Sequence, residues 1–422
     1  MSRMRGKSVQ LLLAAVAALL AVAGSAGAQV AIEFWYGETG DAYVQAMDEI
    51  VRRFNESQND IRVNTTHKGY IGGAQEDAFL AAIAGGVPPD VAYIDGTTAM
   101  EYGITRGIVI PLNHVVPSAV LEAIPLLPVP RAAWELNGTW YGVAMRTDAR
   151  GIYTNERLFE EAGLDPRGGW QDLAEFDLIA EKLTRFDASG RIQQLGFAPK
   201  GNNFGGDMAW LWVFGARVYD REINRPALTG DPKALAAMEW IQSYAQKYGA
   251  DARTSDSLFR NETLAMYLSS TSLLERFPVE VPDLRWWVHE IPAPPTGQKL
   301  NFSSTRGPAI PAGAKHPQEA AKFILYLLST EVQEYWWRQT QSIPANLEAF
   351  RNILSEIDDP RVINMLSTLP SAVTYPPFFA NTVRPAFQEE AERMRRMEIT
   401  PAEALENIQR RSLPIFEEVF GR

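Results

Sequence analysis

Residues 31–57 read AIEFWYGETGDAYVQAMDEIVRRFNES, and this stretch decides the fold. Its first five residues are apolar or aromatic but for Glu33, short enough for a buried strand, and Gly37 and Gly40 then break the pattern. From Asp41 the apolar positions are Tyr43, Val44, Met47, Ile50, Val51 and Phe54, which lay one stripe along a helix. Asp41 stands where a negative charge favours the helix dipole. Working outward, Ile61 and Val63 alternate with polar residues as in a strand. Residues 75–84 form a second helical pattern closed by Gly85 and Gly86, residues 91–94 a buried strand, and residues 97–105 a further helix. Strand and helix alternating three times predict parallel pairing through crossover helices. In such sheets ligands bind beyond the carboxyl ends of the strands, which points to the loops at 36–40, 68–75 and 95–97.

Beyond this unit, residues 140–155 read as a strand opening a second α/β segment, and helical patterns follow at 170–183 and 232–248. A glycine- and asparagine-rich loop at 201–206 leads into an aromatic segment at 208–214. An apolar segment at 264–268 runs into a polar turn at 269–272. Residues 291–297 hold three prolines and a glycine and predict irregular chain. A return strand is expected within 303–311 and a helix over 317–328. Thr330 and Gln333 fit a capping box for the next helix, and a last amphipathic helix over 401–420 is expected to break at Pro414.

Arg3, Arg5 and Lys7, the apolar run 11–22 and the small residues 24–28 make the tripartite pattern of a secretory signal peptide, with cleavage expected after Ala28. The apolar run is shorter than the roughly 20 residues of a membrane span. The chain has no cysteine, which excludes a disulfide framework, a thiolate metal site and a lipidated cysteine after the signal. Losing the three basic residues of 1–28 moves the formal charge from −11 to −14, a balance that argues against nucleic acid as a partner. The remaining length predicts two or three domains. The four histidines are scattered, and HExxH, G-x-S-x-G and P-loop patterns are absent, which leaves little for a secreted hydrolase. Only a glycosidase-type carboxylate pair stays open, because its test is a separation in space.

Several fragments, taken in order, carry a resemblance. They are Phe34-Trp35-Tyr36-Gly37, Gly85-Gly86-Val87-Pro88-Pro89-Asp90-Val91, Asn137-Gly138-Thr139-Trp140-Tyr141-Gly142-Val143, Tyr153-Thr154-Asn155-Glu156-Arg157-Leu158-Phe159, Ala162-Gly163-Leu164-Asp165-Pro166, Ala320-Ala321-Lys322-Phe323, Ser329-Thr330-Glu331-Val332-Gln333 and Ile343-Pro344-Ala345. With this order and spacing the chain resembles the family 1 extracellular solute-binding proteins, whose best-known members bind maltose and other sugars. The resemblance implies an α/β, two-lobed, hinge-linked periplasmic binding protein fold of type II with the ligand cleft between the lobes. Mapped here, it implies a signal peptide at 1–28, lobe one at 29–141 plus 304–350, and lobe two at 142–303 plus 351–422. It further implies a periplasmic, monomeric protein without cofactor that hands a carbohydrate to the permease of an ABC importer. A chemoreceptor or adhesion role on the same fold is the competing reading.

Sugar capture uses carboxylates and guanidiniums for hydroxyls and aromatic faces for the C–H side of the ring. The resemblance makes Tyr36, Glu38 and Thr39 in the first loop, and Asp95 after the third strand, candidate contacts. Glu38 and Thr39 also suit a solvated turn, and Asp95 suits a helix cap. Arg146 and Asp148 follow the crossing and are either ligand contacts or a mutual ion pair. Trp210 and Trp212, Ser270 and Thr271, and Arg306 on the return strand complete the central set. Tyr375 and Phe378 match a segment where maltose-type relatives stack an aromatic ring. Glycerol-3-phosphate-binding relatives have an arginine in that segment, whereas this chain reads Pro377-Phe378-Phe379-Ala380. Arg306 keeps an anionic sugar derivative as an alternative ligand.

Overall fold

The computed structural model describes residues 29–38, 40–68, 74–201, 206–294, 300–367 and 369–421. The expected signal peptide, Thr39, residues 69–73 of the expected 68–75 loop, residues 202–205 and residues 295–297 of the proline-rich stretch therefore lie outside the described residues.

The opening pattern folds as its periodicity dictates. Strand β1 (Val30–Tyr36) leads to helix α1 (Asp41–Ser57), β2 (Ile61–His67), α2 (Ala74–Ala84), β3 (Val91–Asp95) and α3 (Gly96–Arg106). The apolar stripe of α1 is buried at Met47, Ile50, Val51 and Phe54. β1 pairs in parallel with β2 and β3. The chain then reaches β4 (Arg146–Thr147) and β5 (Arg150–Asn155), the helices α4 (Leu173–Lys182), α5 (Ala209–Val213) and α6 (Pro232–Tyr248), strand β6 (Met266–Ser270), helix α7 (Ser272–Glu280) and β7 (Trp286–His289). The expected return strand is β8 (Thr305–Ala309), followed by α8 (Pro317–Leu327), α9 (Thr330–Thr340), α10 (Arg384–Arg395) and α11 (Pro401–Phe420).

Two sheets result. The first has the order β2, β1, β3, β8, β4, with β8 antiparallel to both neighbours. The second is antiparallel, with β5 between β6 and β7. Gly307 lets β8 lie tightly against the approach to β4, since a Cβ there would stand 1.9 Å from the Val143 carbonyl oxygen. Each sheet has its own apolar core. Phe34, Phe54 and Phe323 interlock in the first, and Phe197, Trp210 and Trp240 in the second. A third cluster joins Tyr153, Phe277 and Trp286 to Trp337, Ile343 and Phe350. Each fully buried large apolar side chain contributes about 1.5–3 kcal/mol.

The chain passes between the sheets at Thr147 to Arg150 and at Asn301 to Thr305, and polar side chains tie these passages together. Thr147 Oγ1 lies 2.5 Å from Ser303 Oγ. Asp148 accepts from the Ser304 backbone N–H and hydroxyl, both at 2.8 Å. The Asn301 amide accepts from the Arg150 N–H at 3.1 Å and donates to its carbonyl at 2.8 Å.

Two local expectations are corrected. The cap of α9 is Ser329, whose hydroxyl accepts from the Val332 N–H, while Gln333 is buried and accepts from the Asn346 N–H. Helix α11 runs through Pro414 without a break, held by Leu405, Ile408 and Phe416 in the second core. Tertiary packing there outweighs the hydrogen bond that proline removes.

Candidate functional site

The register of the first sheet sets the floor of the site. Arg306 on β8 stands opposite Asp95 on β3 and opposite Arg146 on β4, so three charged residues lie side by side. Glu38, in the loop after β1, reaches across to meet them. Arg146 donates to it from Nε at 2.8 Å and from Nη2 at 3.0 Å, and Arg306 Nη1 donates at 3.3 Å. Glu38 is 3 % exposed. Burial alone would push its carboxyl up, but the Arg146 and Arg306 guanidiniums outweigh burial and hold it below the ordinary carboxylate range. Glu38 is therefore a buried carboxylate orienting two guanidiniums, not a solvated turn residue.

Asp95 caps α3, its Oδ1 accepting from the Thr97 N–H at 2.9 Å and hydroxyl at 2.6 Å. Of the two readings of Arg146 and Asp148, ligand contacts or a mutual ion pair, the pair does not form. Arg146 goes to Glu38, and Asp148 pairs with Arg150 at 2.5 Å while accepting from Ser304. The reason is register: β4 places Arg146 against β8, and the next residues turn into the passage between sheets. Asp148 is thus part of the brace between the crossings.

The aromatic candidates separate. Trp212 and Tyr375 meet edge to face at 5.5 Å and line a cavity of about 360 Å³ together with Pro128, Val129 and Ala132. Tyr375 also stacks on Phe379 at 4.2 Å. Trp212 and Tyr375 are themselves buried in the second core, which also takes Trp210 and Phe378, while Tyr36 belongs to the first. Trp210 packs on Phe197 and Trp240. Two residues apart on a helix is a turn of about 200°, so Trp210 and Trp212 cannot share a face. Tyr36 is buried beside Phe34, with its hydroxyl donating to Asp48 at 2.9 Å. Phe378 is buried against Phe416 and holds a φ of 58°. Ser270 bonds Ser272, and Thr271 is buried with its N–H on the Ala149 carbonyl, so both sit where β6 enters α7.

Three residues that the sequence did not single out join the site. Arg150, buried, lies over the Phe302 ring at 5.3 Å. Tyr43, placed in the α1 stripe, donates its hydroxyl to Glu275 of α7 at 2.8 and 3.0 Å across 232 positions of sequence. Glu275 follows the Ser270 and Thr271 loop by one helical turn. That proximity was the one signal available. Burial pushes its carboxyl up to about 7, with the neighbouring Glu38 adding to the rise and Tyr43 and Arg146 opposing it.

Charged donors and acceptors thus gather along the first sheet and aromatic rings line the cavity at Trp212 and Tyr375, the kinds of group suited to hydroxyl-rich ligands. Mixed α/β halves, each with its own sheet and core and joined by chain crossings, make this a two-lobed periplasmic binding-protein fold of type II. The solved structure of CpMnBP1 with mannotriose bound superposes with a TM-score of 0.75 at 26 % identity, covering 91 % of this chain and all of that one. The profile of the bacterial extracellular solute-binding proteins matches residues 36–334, and the chain belongs to that family. Among curated relatives, a protein of Brucella abortus named only as a binding protein is 23 % identical over 228 residues, 50 % of this chain. That match spans about half the relative's length, 52 %. The sn-glycerol-3-phosphate-binding periplasmic protein of Brucella abortus is 23 % identical over 363 residues, 78 % of each chain.

Proposed function

We propose that the protein is the periplasmic substrate-binding component of an ABC importer, a monomer that captures a mono- or oligosaccharide by hinge closure and delivers it to the permease. The observation that carries this reading is the cavity of about 360 Å³ lined by Trp212 and Tyr375 together with Pro128, Val129 and Ala132. The mannotriose named for the structural neighbour supports a sugar. Lobe one comprises residues 29 to about 147 with 304–350, because Val143, Ala144 and Met145 are in the first core and β4 is in the first sheet. Lobe two takes the rest. Glu38, Asp95, Arg146 and Arg306 address hydroxyls, and Trp212 and Tyr375 cover the ring face.

A second reading, an anionic sugar derivative such as glycerol-3-phosphate, is favoured by the two guanidiniums on the floor and by the Brucella relative. Glu38 answers both guanidiniums, which favours the neutral sugar. A thermal-shift screen of sugars, polyols and sugar phosphates tests both. A ligand at about 100 times its dissociation constant adds about 2.7 kcal/mol of stability. A hit among neutral saccharides supports the first reading and a hit only among phosphates the second. Turnover of a glycoside by the purified protein would overturn both.

A further inference from the structure

The contact of Tyr43 with Glu275 joins the two halves directly. Tyr43 packs on the first core, its ring edge-on to Trp336 at 5.5 Å, and Glu275 stands on α7, whose Leu273 and Phe277 are in the third cluster with β5 and β7 residues. We propose that this contact is a clasp between the lobes whose grip depends on the protonation of Glu275, so that closure weakens as pH rises. The inference rests on the two-lobed closing motion described above.

The local chemistry supports it. A phenol carries one proton, so Tyr43 satisfies one carboxylate oxygen at a time. Arg146, whose guanidinium lies 5.9 Å from the Tyr43 ring, is already committed to Glu38 by two hydrogen bonds. Among the described residues Glu275 forms no ion pair of its own. The groups facing it are Tyr43 from α1, Arg146 from β4, Glu38 from the first loop and Tyr153 from β5. When the lobes part, the carboxyl meets water and returns to its ordinary value of about 4.3. The closed state, where the carboxyl titrates at about 7, then binds more protons than the open state between these values. The advantage of closure is complete below about pH 4 and is lost as pH rises through 7.

The absence of cysteine permits a clean measurement. Val87→Cys and Leu178→Cys, at sites 64 % and 68 % exposed in different lobes, carry spin labels on the mature chain without ligand. Distance distributions by double electron–electron resonance give the ratio of closed to open molecules. The ratio should fall about tenfold from pH 6 to pH 8 in the parent. Glu275→Gln, which keeps a neutral hydrogen-bonding group, should hold the ratio level across this range, and Tyr43→Phe should lower it at pH 6. A parent ratio that does not change with pH overturns the proposal, as does a Glu275→Gln variant that titrates like the parent. Adding mannotriose to the same samples tests the sugar reading separately: a distance unmoved by saccharide counts against that reading, while the ligand-free titration decides the clasp.

Discussion

Glu38 is buried and Glu275 half-buried, and both feel Arg146, yet their carboxyls move in opposite directions. Glu38 has two guanidiniums within hydrogen-bond range and stays below the ordinary range; Glu275 has one phenol and rises to about 7. The number of cations in contact decides protonation, and burial sets only the penalty they must overcome. The candidate groups differ in the same way: the charge pairs of the first sheet are fixed by strand register, and the rings of the cavity by packing on a helix and a late loop.

The strongest test of this contrast is Glu38→Ala. It leaves Arg146 and Arg306 buried without their shared carboxylate and should cost about 3–5 kcal/mol in urea unfolding followed by tryptophan fluorescence. A loss below about 1 kcal/mol would mean that the floor charges are not coupled. Because the folded carboxyl titrates below its unfolded value, its contribution is present above about pH 4.3 and fades as pH falls through the folded value. The acid limb of the stability curve should therefore be flatter in Glu38→Ala than in the parent. On the aromatic side, Trp210→Leu should cost about 2–3 kcal/mol of stability while the affinity of the folded protein is kept. Trp212→Leu, buried as well, should cost about as much stability and in addition weaken the saccharide found by the thermal screen about tenfold in titration calorimetry. Equal affinities for the two variants would remove Trp212 from the groove. The smallest effect belongs to the passage between the sheets. Ser304→Ala removes one hydrogen bond to Asp148 and should lower stability by about 1 kcal/mol, read from the thermal melt.

How much of this was legible depends on range. The run from β1 to α3 follows from periodicity within windows of about fifteen residues, and its element limits agree with the pattern to within a residue or two. Glu38, Asp95, Arg146 and Arg306 were each marked by position at strand ends, but their partners were not. Whether Arg146 meets Asp148 or Glu38 is fixed by the pairing of β4 with β8, which joins segments about 160 positions apart. Trp210 and Trp212 carry the same local signal and are both buried; only the packing of α5 decides that Trp210 meets Trp240 while Trp212 meets Tyr375. Tyr43 fits an apolar stripe, and nothing near it in sequence announces a hydroxyl partner 232 positions away. At Pro414 the local rule was clear and lost to the packing of its neighbours.

The polar ties among Thr147, Asp148, Ser303 and Ser304 bear on how the molecule can open. Ties of this kind fix the register of one passage against the other. Sliding the first past the second would break them, whereas a bend shared by both would keep them whole.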